Sequence, residues 1–181
     1  MRKLLVVLLS SLLVLAGCQK EVKMTAEAVE DRASMPGLDA SAVTTLISDS
    51  GITRYRITTE TWRIYDKAVP VYWEFPDGIY LEKFSPDLEI ETWLRSDYAY
   101  YNDEAQLWEL RGNVRSMNVD SEFFETPQLF WDQKAELIYS DSSISITRET
   151  SIIKGVGFQS NQELTKYTIL NPTGVFPIKD D

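Results

Sequence analysis

The side chains in this chain that could do chemistry are carboxylates: its 181 residues hold 28 Asp and Glu, one Cys and no His. Without histidine or paired thiols, Ser-His-Asp and Cys-His nucleophile systems, His-based proton transfer and the usual zinc sites lack their parts. Two carboxylates at i and i+2 on a strand share a face, and a carboxylate pair flanking a sugar linkage can hydrolyse it. Glu89/Glu91, Asp120/Glu122 and Glu60 with Asp66 are the candidates. In so acidic a chain such pairs are frequent, and charge on a solvated face is the plainer reading. Tyr98, Tyr100 and Tyr101 form a second candidate, a stacking platform for a sugar, set against their role as strand formers. Gly155-Val156-Gly157 is no phosphate loop, since no helix pattern follows it. No residue set calls for a metal or a cofactor, and the chain reads as a non-enzyme.

The one thiol sits in a different kind of motif. Met1-Arg2-Lys3 is a positive start, Leu4 to Leu15 is an apolar run too short to span a bilayer, and Leu15-Ala16-Gly17-Cys18 closes it with small residues. This run resembles a bacterial lipobox, which implies a signal peptide over 1–17, cleavage before Cys18 and diacylation of its sulfur. Loss of Arg2 and Lys3 takes the net charge from −10 to −12. Such a charge repels nucleic acid and offers no basic face to anionic headgroups, so anchoring falls to paired acyl chains.

Residues 18–46 contain no aromatic residue and read as a tether, with a short helix around Thr25–Ala33 capped by Thr25. All 21 aromatic residues fall at or after Tyr55, so the folded domain is expected over 47–176, with a tail at 177–181. From Ile47 onward, runs rich in Thr, Ile, Val, Tyr and Trp alternate with turn signals. These are Ser48-Asp49-Ser50-Gly51, Pro76-Asp77-Gly78, Asn102-Asp103, Arg111-Gly112-Asn113, Asp132-Gln133, Asp141-Ser142-Ser143 and Asn171-Pro172-Thr173-Gly174. Strands this frequent without helical patterns point to an all-β sandwich or roll of antiparallel neighbours.

A repeat is visible as well. Tyr101-Asn102-Asp103-Glu104-Ala105-Gln106-Leu107-Trp108 aligns with Trp131-Asp132-Gln133-Lys134-Ala135-Glu136-Leu137-Ile138, and Tyr65-Asp66-Lys67-Ala68 is a fainter echo. This is a strand-turn-strand unit stacked several times, each copy burying its apolar face on the next. Within Gln106–Val119, Trp108, Leu110 and Val114 alternate with Glu109, Arg111 and Arg115, the period-two pattern of a half-buried strand.

Several of these segments, in their order and spacing, resemble the LptC family. They are Ser48 to Gly51, Tyr65-Asp66, Trp73-Glu74-Phe75-Pro76-Asp77-Gly78, Leu107 to Val114, Thr126-Pro127-Gln128-Leu129 to Trp131-Asp132, and Gly155-Val156-Gly157-Phe158 through Asn161 to Thr165. The resemblance implies an open β-jellyroll (OstA-like) of stacked antiparallel strands enclosing an apolar groove. It implies lipopolysaccharide transport from inner to outer membrane, with lipid A acyl chains in the groove and the saccharide outside. The implied partners are lipopolysaccharide, an inner-membrane ABC transporter (LptB, LptF, LptG) and a periplasmic bridge protein, LptA or its equivalent.

On that reading the groove residues are Tyr55, Ile57, Trp62, Trp73, Phe75, Trp108, Leu110, Val114, Leu129, Ile138, Ile144 and Ile146, each of which also fits a plain core. The edges that meet partners are assigned to Ile52 at the N-terminal end and to Leu164, Tyr167, Ile169 and Leu170 at the C-terminal end. The expected place is the periplasmic face of the inner membrane, although Gln19 after the cysteine would favour the outer membrane by the enteric sorting rule. A transmembrane helix common in related chains is here replaced by the lipid. Two other readings stay open: a lipid-anchored polysaccharide-binding β-sandwich and a carboxylate glycosidase.

Overall fold

The structure is a computed structural model that describes residues 31–149 and 151–173. The expected signal peptide, Cys18 and the 177–181 tail lie outside the described residues, as does most of the helix expected at Thr25–Ala33. What is described at its end is a single 3-10 turn, Arg32–Ser34, capped by the Asp31 carboxylate accepting from Ala33 N.

Eleven strands follow: β1 (Leu38–Asp49), β2 (Ile52–Tyr65), β3 (Tyr72–Phe75), β4 (Ile79–Phe84), β5 (Ile90–Ser96), β6 (Tyr98–Asn102), β7 (Leu107–Met117), β8 (Phe123–Asp132), β9 (Leu137–Thr147), β10 (Ile152–Asn161) and β11 (Tyr167–Thr173). They pair antiparallel in the order β11-β10-β9-β8-β7-β5-β4-β2-β3-β6, with β1 outside β2 and β6 closing onto β7. This is the all-β, open β-jellyroll architecture expected from the strand and turn pattern.

Two routes lead from β2 to β7, and they define two layers. Strand β2 gives Tyr55–Thr58 to β4 and Arg63–Tyr65 to β3. Strand β7 likewise gives Leu107–Arg111 to β6 and Trp93's strand takes Arg115–Met117. Each long strand therefore starts in one layer, bends and ends in the other. The apolar residues of both inner faces meet in one cluster that runs from Ile57 and Phe75 through Leu129 and Ile146 to Phe158. Burying each of these side chains stabilises the fold by about 1.5–3 kcal/mol.

The bends are where three sequence expectations change. Arg111-Gly112-Asn113 and Asp141-Ser142-Ser143 do not reverse the chain; both lie inside strands, β7 and β9. Gly112 (φ 72°) and Asn113 (φ 44°) form a left-handed step that breaks the β7–β8 register between Arg111 and Val114. Turn residues thus mark a bulge that turns the strand across the corner of the roll. The segment Asn171–Thr173 is also strand, paired with Lys154–Val156 on β10.

The folded domain begins at Leu38, earlier than Ile47. Aromatic residues set the expected boundary, but β1 is built from Val, Thr, Leu and Ile and pairs along the length of β2 from Leu38↔Ile64 to Asp49↔Ile52. Ser50 (φ 51°) and Gly51 (φ 82°) close this hairpin with the two left-handed residues that a tight β-turn of this hand needs.

At the far end, Gly155 on β10 is crossed by β11. A Cβ there would overlap Ile169 Cγ2 and lie 2.7 Å from the Asn171 carbonyl oxygen. Gly155→Val is expected to destabilise the domain by about 1–3 kcal/mol through overpacking of the last strand pair. Urea unfolding of both proteins checks it, and an unchanged midpoint would contradict the tight β10–β11 crossing.

Candidate functional site

The bend determines what faces the interior. On the layer that contains β3 and β6, inward side chains form a continuous aromatic row. Trp62 and Trp73 lie 5.3 Å apart, Trp62 and Phe75 5.5 Å, Phe75 and Trp108 5.7 Å, Tyr101 and Trp108 4.7 Å, and Trp108 and Trp131 6.4 Å between ring centroids. Offset and tilted pairs at such spacings add to the stabilisation from burial itself. The buried indole N–H groups of Trp62 and Trp108 have no hydrogen-bond partner among the described residues.

The opposite layer brings Leu81, Leu94 and Tyr55 toward this row. Between the two lies a cavity of about 220 Å³ lined by Tyr55, Leu81, Leu94, Trp131, Ile138 and Leu164, with Lys83, Thr92, Gln162 and Glu163 supplying polar groups. Lys83 Nζ stands 3.9 Å from the Glu91 carboxylate, a loose pair that leaves the ammonium able to meet another anion. The cavity can thus hold apolar chain inside and polar or charged groups at its rim.

One side of the cavity is formed by a turn. Asn161–Thr165, between β10 and β11, reaches from its own layer across to the other. Asn118 Nδ2, beyond the end of β7, donates to the Leu164 carbonyl at 2.9 Å, and Trp131 Nε1 donates to Gln162 Oε1 at 2.9 Å. Asn118 is fully buried, and its Oδ1 also accepts from the backbone N–H groups of Asp120 and Glu122. Beside this bridge Arg148 binds the Glu122 carboxylate at 2.6 Å and donates to the Tyr167 hydroxyl. Phe124, Phe158 and Tyr167 pack together behind it, so the roll is filled at this end.

The twelve residues assigned to a groove all face the interior, but they divide. Ile57, Phe75, Trp108, Leu110, Val114, Leu129, Ile138, Ile144 and Ile146 are buried in the cluster, and Trp62 and Trp73 pack against it half-buried. Tyr55 and Ile138 line the cavity. Leu81 and Leu94 line it too, as does Trp131, which the sequence marks as part of the second repeat copy and not as a groove residue. Their alternation and the second repeat copy carried that signal, whereas nothing in the sequence marks Asn118 or Gln162.

The edge residues need correction. Ile52 opens β2, an inner strand, so among the described residues the N-terminal edge is β1. Leu164 is 4% exposed and points into the cluster rather than outward. Tyr167 and Ile169 lie half-buried on β11, and Leu170 is 54% exposed on that strand, which among the described residues pairs with β10 alone.

The acids and tyrosines separate as well. Glu122 is bound by Arg148, and Glu91 is the one facing Lys83. The Glu109 carboxyl is held below its ordinary range chiefly by the 2.7 Å hydrogen bond from Arg111, with Gln128 adding a second, the reverse of what a proton donor to a glycosidic oxygen needs. Tyr101 is buried in the aromatic row. Tyr100 lies tilted against Tyr72 on the other face at 5.2 Å, and the Tyr98 hydroxyl, donating to Glu74, is pushed up to about 12 by burial and then by that carboxylate. Among the described residues no cluster of acids is placed to hold a metal, and no helix is long and apolar enough to cross a membrane.

Asn118→Ala is expected to cost about 2–3 kcal/mol, because it strips the buried Leu164 carbonyl and two backbone N–H groups of their partner at once. Thermal and urea unfolding measure it, and a loss near zero would show that the turn is held by something else.

The family whose model matches this chain is LptC, described as lipopolysaccharide-assembly, LptC-related, over residues 3–174. No curated protein matches it. The match spans nearly the whole sequence, and the chain belongs to the LptC family. Its role is accordingly in lipopolysaccharide transport, as a periplasmic component linked to the inner membrane that works with lipopolysaccharide and the Lpt transporter complex.

Proposed function

We propose that this LptC-family chain carries lipopolysaccharide by its acyl chains, held between the two layers of the roll while the saccharide stays outside. The observation that carries this reading is the partly open cavity between Leu81, Leu94, Ile138 and Trp131, apolar within and rimmed by Lys83, Thr92 and Glu163. Each methylene withdrawn from water contributes about 0.8 kcal/mol, so a few methylenes suffice for binding that is firm and still reversible. A carrier needs both properties.

The two free edges supply the path on either side. Among the described residues, strand β1 has β2 as its neighbour and an open outer edge, and β11 has β10 and likewise an open outer edge. Unpaired backbone groups at such edges can be continued by a strand of another protein. We assign β1 to the inner-membrane transporter of LptB, LptF and LptG, and β11, with Leu170 outward, to an LptA-type bridge protein. Such head-to-tail contacts place successive rolls in line. Cleavage and lipidation at Cys18 would hold the domain at the periplasmic face of the inner membrane.

A photo-crosslinking amino acid in place of Ile138 is expected to capture lipopolysaccharide in cells only while the transporter hydrolyses ATP. The same probe at Leu170 is expected to capture a protein neighbour. Protein adducts alone at Ile138 would overturn the proposal.

A further inference from the structure

The turn that forms one side of the cavity is a modified copy of the repeated unit. In the first two copies the side chain that ends the strand caps the turn: Asn102 Oδ1 accepts from Ala105 N and Asp132 Oδ1 from Ala135 N, both at 2.8 Å. Each copy then has one left-handed residue before the next strand, Gln106 and Glu136, both at φ 54°. The copies stack, with Gln133 N donating to the Gln106 carbonyl at 3.0 Å and Lys134 Nζ reaching the Glu104 carbonyl.

Asn161 caps the third turn in the same way but over a longer loop, its Oδ1 accepting from Thr165 N at 3.0 Å and Lys166 N at 2.9 Å. Leu164 stands three residues after its capping residue, where the earlier copies have Ala105 and Ala135. Those alanines are exposed, whereas Leu164, with φ 56°, turns inward onto the cluster. A large apolar side chain in a left-handed position is uncommon, and its turn is kept in place here from opposite layers, by Asn118 donating to the Leu164 carbonyl and Trp131 donating to Gln162 Oε1.

Most other apolar walls of the cavity belong to strands: Leu81 on β4, Leu94 on β5, Trp131 on β8 and Ile138 on β9. Leu164 is the aliphatic wall carried by a loop. We infer that Leu164 is the depth stop of the cavity and so a specificity-determining residue that sets how much acyl chain it accepts. This rests on the proposed acyl-binding reading of the same cavity. An acyl chain entering past the polar rim gains binding with every methylene until its end meets Leu164, and additional methylenes stay in water.

The test is displacement of a fluorescent fatty-acid probe from the full-length chain by saturated fatty acids of increasing length. In the native protein, affinity is expected to rise about fourfold per methylene, the equivalent of about 0.8 kcal/mol, and then to level off. Leu164→Ala is expected to move the levelling point to longer chains by about three carbons, the number its side chain gives up, and Leu164→Phe to move it to shorter ones. Should the alanine variant fail to fold by circular dichroism, Leu164→Val carries the same test with a shift of about one carbon. Folded variants that level off at the native length would overturn the depth stop while leaving acyl binding intact. A native chain that displaces no probe at any length would overturn the acyl-binding reading, and the depth stop with it.

Discussion

The bend in each long strand is the constraint on which the rest of this structure depends. A strand that changes layer must break its ladder of hydrogen bonds, and the carbonyls released at the bend are buried between the layers. Unpaired, each would cost the desolvation of a polar group. Small hydroxyl side chains answer this at bend after bend. Thr59 Oγ1 lies 2.7 Å from the Gly78 carbonyl, Ser96 Oγ donates to Tyr98 O at 2.9 Å, Thr126 Oγ1 to Gln128 O at 2.9 Å, and Ser140 Oγ to Gln128 O at 2.7 Å. All four residues are buried, and they account for much of the polar content of an otherwise apolar interior.

Because the bends hold two layers face to face, the interior is a packed cluster that leaves a slot at one place rather than closing throughout. At the β10–β11 end, Phe124, Phe158 and Tyr167 fill it. Farther in, Trp131 and Ile138 on one layer face Tyr55, Leu81 and Leu94 on the other, and the space between them is left as the cavity. Packing to ordinary density would remove it. On the proposed reading, a transport component that takes up a lipid and releases it would be served by this incomplete filling, which leaves room for acyl chain without a closed pocket to escape from.

Much of this was legible in sequence, and the failures have physical causes. Period-two alternation in Gln106–Val119 placed Trp108, Leu110 and Val114 inward, because burial on one face of a strand enforces it. The aligned Ala105 and Ala135 segments gave two turns of matching geometry. The bends at Gly112 and Ser142 read as chain reversals, since glycine, asparagine and serine are favoured by any sharp change of direction, whether the chain doubles back or merely crosses a corner. Strand β1 carries no such mark, because it pairs along β2 without a single aromatic residue. Leu164 read as an exposed edge residue, since its inward course follows from Asn118, 46 positions away, and no local pattern encodes that contact.

Methyl NMR with an acyl probe that carries a nitroxide near its chain end measures most directly whether the slot between the layers is where lipid goes. The expected result is selective broadening of methyl signals from Leu81, Leu94 and Ile138, with those of the outward-facing Ile152, Val156 and Leu170 left sharp. Broadening of Ile152 and Val156 with Leu94 and Ile138 unchanged would place the lipid on the outer surface and contradict the account.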